Sequence, residues 1–175
     1  MHYILRTPAA FLLLIVIAGL AGCASVPMAA PELDAQAKKF SSPDDMAAVY
    51  LYRRGTYAAD LVIPVGMDGQ FMGRTAVDSY FYWKVTPGHH TIITGGYAPK
   101  VFNVDLEAGK NYFFKQKILF IYTVDTRLVN VSEEQGKKDV LHCALAASSQ
   151  PRPVTEQNND KQNLEDLRGL LQPQQ

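Results

Sequence analysis

The chain has 175 residues, 47% of them hydrophobic, with 17 basic and 17 acidic side chains and a formal net charge of zero. That balance lacks the basic excess of a nucleic-acid-binding domain, so no nucleic-acid partner is expected. Without an N-terminal targeting segment and a polar tail, about 100 residues remain, the size of one small domain.

Arg6 precedes an apolar run over 9–20 dominated by Phe11, Leu12, Leu13, Leu14, Ile15, Val16 and Ile17. A permanent membrane helix needs about 20 such residues, so the shorter run reads as the core of an export signal. It closes on Leu20-Ala21-Gly22-Cys23, which resembles the lipobox of bacterial lipoproteins. The resemblance implies a signal peptide over 1–22, a diacylglyceryl group on the Cys23 thiol, and cleavage that makes Cys23 the new N-terminus. Small residues admit the peptidase, and a thiol is the most nucleophilic side chain available for acylation. The implied address is the bacterial envelope; Ala24, by analogy with lipoprotein sorting, implies the outer membrane, facing the periplasm. Acylation of Cys23 leaves Cys143 without a disulfide partner, so Cys143 is expected to pack as a small apolar residue.

Residues 23–46 read as a tether. Pro27, Pro31 and Pro43 discourage continuous structure, with room for a short helix over 32–40. From Ala48 to Val131 short β-branched and aromatic runs alternate with turn signals, which predicts an all-β domain over 47–147. "AVYLYR" is a first strand, and "LVIPVGM" alternates Leu61, Ile63, Val65 and Met67 onto one face. Pro64 lacks an N–H, which suggests an edge strand or a bulge there. Asp68-Gly69 predicts a hairpin turn into "QFMGRT". "SYFYWKV", "HHTIIT", "KVFNVDL", "NYFFKQKILFIY" and "TRLVNVS" complete seven or eight strands, mostly antiparallel because the loops are short. The predicted product is an antiparallel β-sandwich with a short C-terminal helix over about 138–146, whose Val140, Leu141 and Leu145 cover one end. Residues 148–175 form a polar tail, expected to be mostly disordered. Within it Leu164, Leu167 and Leu171 fall at helical spacing, a candidate partner-docking helix over 160–171.

In order, "YLYR" (Tyr50–Arg53), "VGMDGQFMGRT" (Val65–Thr75), "VTPGHHTI" (Val85–Ile92) and "LEAGKNYFF" (Leu106–Phe114) resemble the bacterial lipoproteins grouped as domain of unknown function 2846. They also look more distantly like PEGA-type β-sandwich repeats. The resemblance implies an immunoglobulin-like or prealbumin-like sandwich, with no catalytic residues to carry over.

No nucleophile elbow, no S-x-x-K and no C-x-x-C occurs, and the acidic residues mostly flank turns. His89 and His90, as strand neighbours, point to opposite faces and do not make two ligands on one side. No metal or other cofactor is expected. Tyr80 and Tyr82 share a face opposite Phe81 and Trp83, and with Arg53 alongside they are the candidate binding surface for sugar rings, lipid or a partner strand. An exposed edge at Leu61–Met67 would admit strand addition. The expected function is therefore a non-enzymatic envelope lipoprotein, held to the membrane by its N-terminal lipid, that binds or scaffolds an envelope protein or cell-wall component. One alternative is an envelope hydrolase or metal-dependent enzyme using His89 or His90. Another is a carrier of small apolar or glycan ligands.

Overall fold

The computed structural model describes residues 26–96, 98–120 and 123–151. The segment expected as a signal peptide, Cys23 and the leucine-spaced segment 160–171 lie outside them.

In chain order the elements are α1 (Pro31–Ala37), β1 (Ala47–Arg53), β2 (Ile63–Met67), β3 (Gln70–Thr75), β4 (Ser79–Val85), β5 (Gly88–Thr94), β6 (Lys100–Leu106), β7 (Asn111–Phe120), β8 (Val124–Val131), α2 (Glu133–Val140) and β9 (Ala144–Leu145). They form a five-stranded sheet, β8-β7-β1-β4-β9, and a four-stranded sheet, β3-β2-β5-β6. The expected mainly-β sandwich is the observed fold, with nine strands among the described residues. Short loops do give the antiparallel hairpins β2–β3, β5–β6 and β7–β8. Two pairings, β1–β7 and β4–β9, are parallel, because they join strands distant in sequence where loop length imposes nothing.

Between the sheets, alternate residues interlock in one core. Val49, Leu51, Phe81, Trp83 and Phe114 come from one sheet and Val65, Met67, Met72 and Ile92 from the other. Each such side chain contributes about 1.5–3 kcal/mol by leaving water. Strand β1 is buried along its whole length. Its outward residues Ala48, Tyr50 and Tyr52 belong to a second cluster with Tyr80, Phe113, Ala37, Val140, Cys143 and Leu145. The helices form a third layer over the five-stranded sheet.

Several expectations change. Residues 26–46 are not a free tether. Val26 is in the core, the Ala29 N–H donates to the Leu145 carbonyl at 2.9 Å, and the Ala147 N–H donates to the Pro27 carbonyl at 2.8 Å. The backbone partners of this proline-rich stretch lie more than a hundred residues downstream, beyond the reach of local pattern. The C-terminal helix starts earlier than expected, at the N-cap Ser132, whose hydroxyl accepts from the Gln135 N–H, and it stops at Val140. Leu141 is therefore exposed, and Leu145 is buried as part of β9. Gly136 lies where α2 meets the sheet: a Cβ there would stand 2.1 Å from Cγ of Phe113.

Strand β2 is internal, flanked by β3 and β5, so Leu61–Met67 offers no edge for strand addition. Pro64 is tolerated because β2–β5 pairing begins at Val65, leaving its missing donor beyond the last ladder pair. The Asp68-Gly69 turn has φ of 51° and 78°, as a primed hairpin turn requires. Beyond it the β2–β3 register slips: Gly66 pairs with Phe71 and Val65 with Gly73, so Met72 bulges from β3. Met72 turns into the core while Phe71 stays exposed.

Candidate functional site

The tyrosine face is a clamp for the helices rather than an open platform. The Tyr50 ring stacks on Phe113 with centroids 4.7 Å apart, and Tyr82 lies 4.9 Å away on its other flank. The Tyr50 hydroxyl donates to the Ala37 carbonyl at 2.8 Å, at the end of α1. The Tyr80 hydroxyl donates to the Asp34 carboxylate at 2.9 Å, and the Tyr52 hydroxyl to that of Asp139 at 2.8 Å. Burial, reinforced by the carboxylates beside Tyr52 and Tyr80, pushes these phenols well above their ordinary range. Burial also pushes the two carboxyls upward, but donated hydrogen bonds outweigh it and hold both below the ordinary value. For Asp34 the donors are Lys38, Tyr80 and the Leu145 N–H; for Asp139 they are Tyr52, Lys115 and Gln135. Each charge is stabilised because it is fully partnered.

Two of the three residues expected on a binding surface are therefore interior. Tyr80 has no exposed area, because α1 covers it. Arg53 is 2% exposed: its guanidinium donates to the carbonyls of Leu61, Tyr57 and Ala58, tying down the loop between β1 and β2. Local alternation placed these side chains on the correct face but carried no information about the helices that cover it.

Tyr82 alone stays half-exposed, and it lines a cleft of about 470 Å³ between α1 and the β4 edge. Leu33 and Gln36 of α1, Lys84, Ser148 and Gln150 line it too, with alanines and Leu145 between them. Gln150 is held against β4 by its own amide, whose Nε2 donates to the Tyr82 carbonyl at 3.2 Å while its Oε1 accepts from the Lys84 N–H at 3.4 Å. Apolar walls, one aromatic face, one cation, one hydroxyl and two amides can bind and orient a ligand. No carboxylate, histidine or cysteine lines the cleft, so its lining offers no acid–base pair. Sequence reading missed Lys84, which shares the face of Tyr82 by alternation, and Leu33 and Gln36, one helical turn apart. Gln150 carries no local signal at all.

The histidines separate as strand geometry requires. His89 is exposed, its Nδ1 2.9 Å from Asp105. His90 is buried, its Nδ1 2.7 Å from Asp68 and its Nε2 2.8 Å from the Thr86 carbonyl. With an oxygen acceptor against each ring nitrogen, His90 fastens the β4–β5 connection to the β2–β3 turn. Asp68 is further occupied by the Thr91 N–H at 2.8 Å. Cys143 is buried, as expected, and burial pushes its thiol up to about 12. Among the described residues no group of three or more His, Cys, Asp or Glu is arranged to hold a metal.

The family model described as "Protein of unknown function (DUF2846)" matches residues 43–127, from just before β1 into β8. An uncharacterized protein of Haemophilus influenzae (strain Rd) is 36% identical over 132 residues, covering 74% of this chain and 79% of the relative. No solved structure matches the chain. With that identity over most of both chains, and the family model matching seven strands and the start of an eighth, the chain belongs to the DUF2846 family of proteins of unknown function.

Proposed function

We propose that this protein is a bacterial envelope lipoprotein, anchored through Cys23 to the periplasmic face of the outer membrane, that binds an envelope protein or cell-wall component without catalysing a reaction. The lipobox-like Leu20–Cys23 after a short apolar run supports the anchor. The observation that carries the binding role is the convergence at one edge. Residues 144–150 run along β4 and frame the Tyr82 cleft, and residues 27–29 pair with 145–147, so the segment after Cys23 and the one leading to Leu164, Leu167 and Leu171 lie side by side next to it. The enzymatic alternative finds less support, because the ring nitrogens of His90 already face Asp68 and the Thr86 carbonyl. The carrier alternative is also weakened, since the Tyr82 cleft lies outside the inter-sheet core.

The test is in-cell photocrosslinking from a benzophenone side chain at position 82 or at Asn130 on the opposite sheet edge, in the full chain and in a chain stopped after Pro151. Specific adducts from position 82 alone are expected. Adducts lost on truncation assign recognition to the tail; adducts retained assign it to the cleft. No adducts, or equal adducts from 82 and 130, refute the binding role. For the anchor, Cys23→Ser should move the protein from the membrane fraction to the soluble one, and unchanged fractionation refutes it.

A further inference from the structure

We infer that the face beside Val26 docks on the phospholipid surface, with Phe71 and Arg74 as its membrane-contacting pair. The inference rests on the proposed acylation of Cys23. Val26 belongs to the core, so only Ala24 and Ser25 separate the lipidated residue from the folded domain. Three Cα–Cα steps of 3.8 Å span at most about 11 Å. The headgroup region of one leaflet is about 5–8 Å deep, so a span this short holds the domain against the membrane.

The surface at that point has the chemistry of an interface. A groove of about 620 Å³ opens beside the anchored end, lined by Val26, Pro27, Val62, Phe71, Met72 and Arg74. Phe71 is 57% exposed and Val62 is 37% exposed. The Arg74 guanidinium lies 5.7 Å from the Phe71 ring centroid. In a regular strand, residues three apart point to opposite faces. The bulge at Met72 removes one step of alternation, so Phe71 and Arg74 both point outward. Pro64 and Gly66, which pair with them, keep the adjoining surface uncharged. An aromatic ring beside a cation fits the boundary between acyl chains and phosphates, where the ring enters the apolar zone and the guanidinium meets an anionic headgroup. A partner protein would also fit an apolar groove, but the short link to the acyl chains favours lipid.

The test uses the full-length protein purified from a bacterial membrane, its acylation read by intact mass, in vesicles of phosphatidylethanolamine and phosphatidylglycerol. An environment-sensitive fluorophore is attached at Val62→Cys in the groove or at Asn130→Cys on the far edge; Cys143 is buried and stays unlabelled. With the acyl mass present, spin-labelled lipids should remove about half of the emission at position 62 and little at 130, as expected for headgroup depth. Phe71→Ser combined with Arg74→Ser should lower quenching at 62 toward the level at 130 while the protein stays vesicle-bound. Equal, weak quenching at both positions overturns the docking and leaves acylation standing. Shielding at 62 that grows with protein density instead of lipid label marks a second copy and also overturns it. Absence of the acyl mass overturns the anchor and the docking together.

Discussion

Gly136→Ala sets two effects of comparable size against each other. In an isolated helix alanine is favoured over glycine by about 1 kcal/mol, so propensity alone predicts a more stable α2. In the fold, the new methyl would stand 2.1 Å from Cγ and 2.4 Å from Cβ of Phe113. Non-bonded carbons settle at about 3.5–4.0 Å, so helix and sheet must separate by about 1.5 Å. Phe113 has no room to yield: it is 1% exposed and stacked on Tyr50. Overpacking of this kind costs about 1–3 kcal/mol. Because the clash involves Cβ as well as the ring, a new Phe113 rotamer does not relieve it, and the upper part of that range applies. The net destabilisation is about 2 kcal/mol, or roughly 6–10 °C in melting temperature for a domain of this size. Thermal melting and urea titration of the purified chain measure it, with Glu134→Ala on the exposed side of α2 as a control expected to stay within about 0.5 kcal/mol. A Gly136→Ala protein melting at or above the wild type would refute the reasoning and mean that α2 does not seat on Phe113.

Two further outcomes follow from polar groups that the helices and β9 cover in part or in full. Asp34 has a folded-state carboxyl below its ordinary 3.8, so the stability it contributes is fully present above that value and is lost as pH falls through the folded-state one. The melting temperatures of wild type and Asp34→Asn should therefore converge as the pH falls below 3.8, and a gap that stays constant down to acid pH would contradict the clamp on α1. Cys143, buried with its thiol pushed up to about 12, should resist maleimide at neutral pH in the folded protein and react once urea is added; rapid native labelling would show that α2 and β9 do not cover it.

The sequence made most of the sheet legible, because strand alternation and turn chemistry are local. Ile63, Val65 and Met67 face the core as their spacing requires, Asp68-Gly69 turns the chain, and Phe81 and Trp83 lie opposite Tyr80 and Tyr82. The candidate site was less legible. Of the three residues read as a binding surface, Tyr82 stays half-exposed at the cleft, but α1 and the β1–β2 loop cover Tyr80 and Arg53. The error is physical: a tyrosine that offers its ring to solvent and one that donates its hydroxyl to a helix have the same neighbours in sequence. Segment 26–46 was misread for a related reason, since proline and alanine there signal only that local structure is weak, while its order comes from β9 and from the tyrosine hydroxyls.

By itself, then, the sequence determined the strand periods, the hairpin turns and the lipobox-like motif, which depend on residues within a few positions of one another, and the family, which rests on the order of such local motifs along the chain. Only the tertiary structure decided which face is covered, that β2 is internal, that Gly136 is needed for helix–sheet contact, and that the Met72 bulge sets Phe71 beside Arg74. Those outcomes depend on contacts between segments brought together in folding, and such contacts leave no periodic trace in either segment alone.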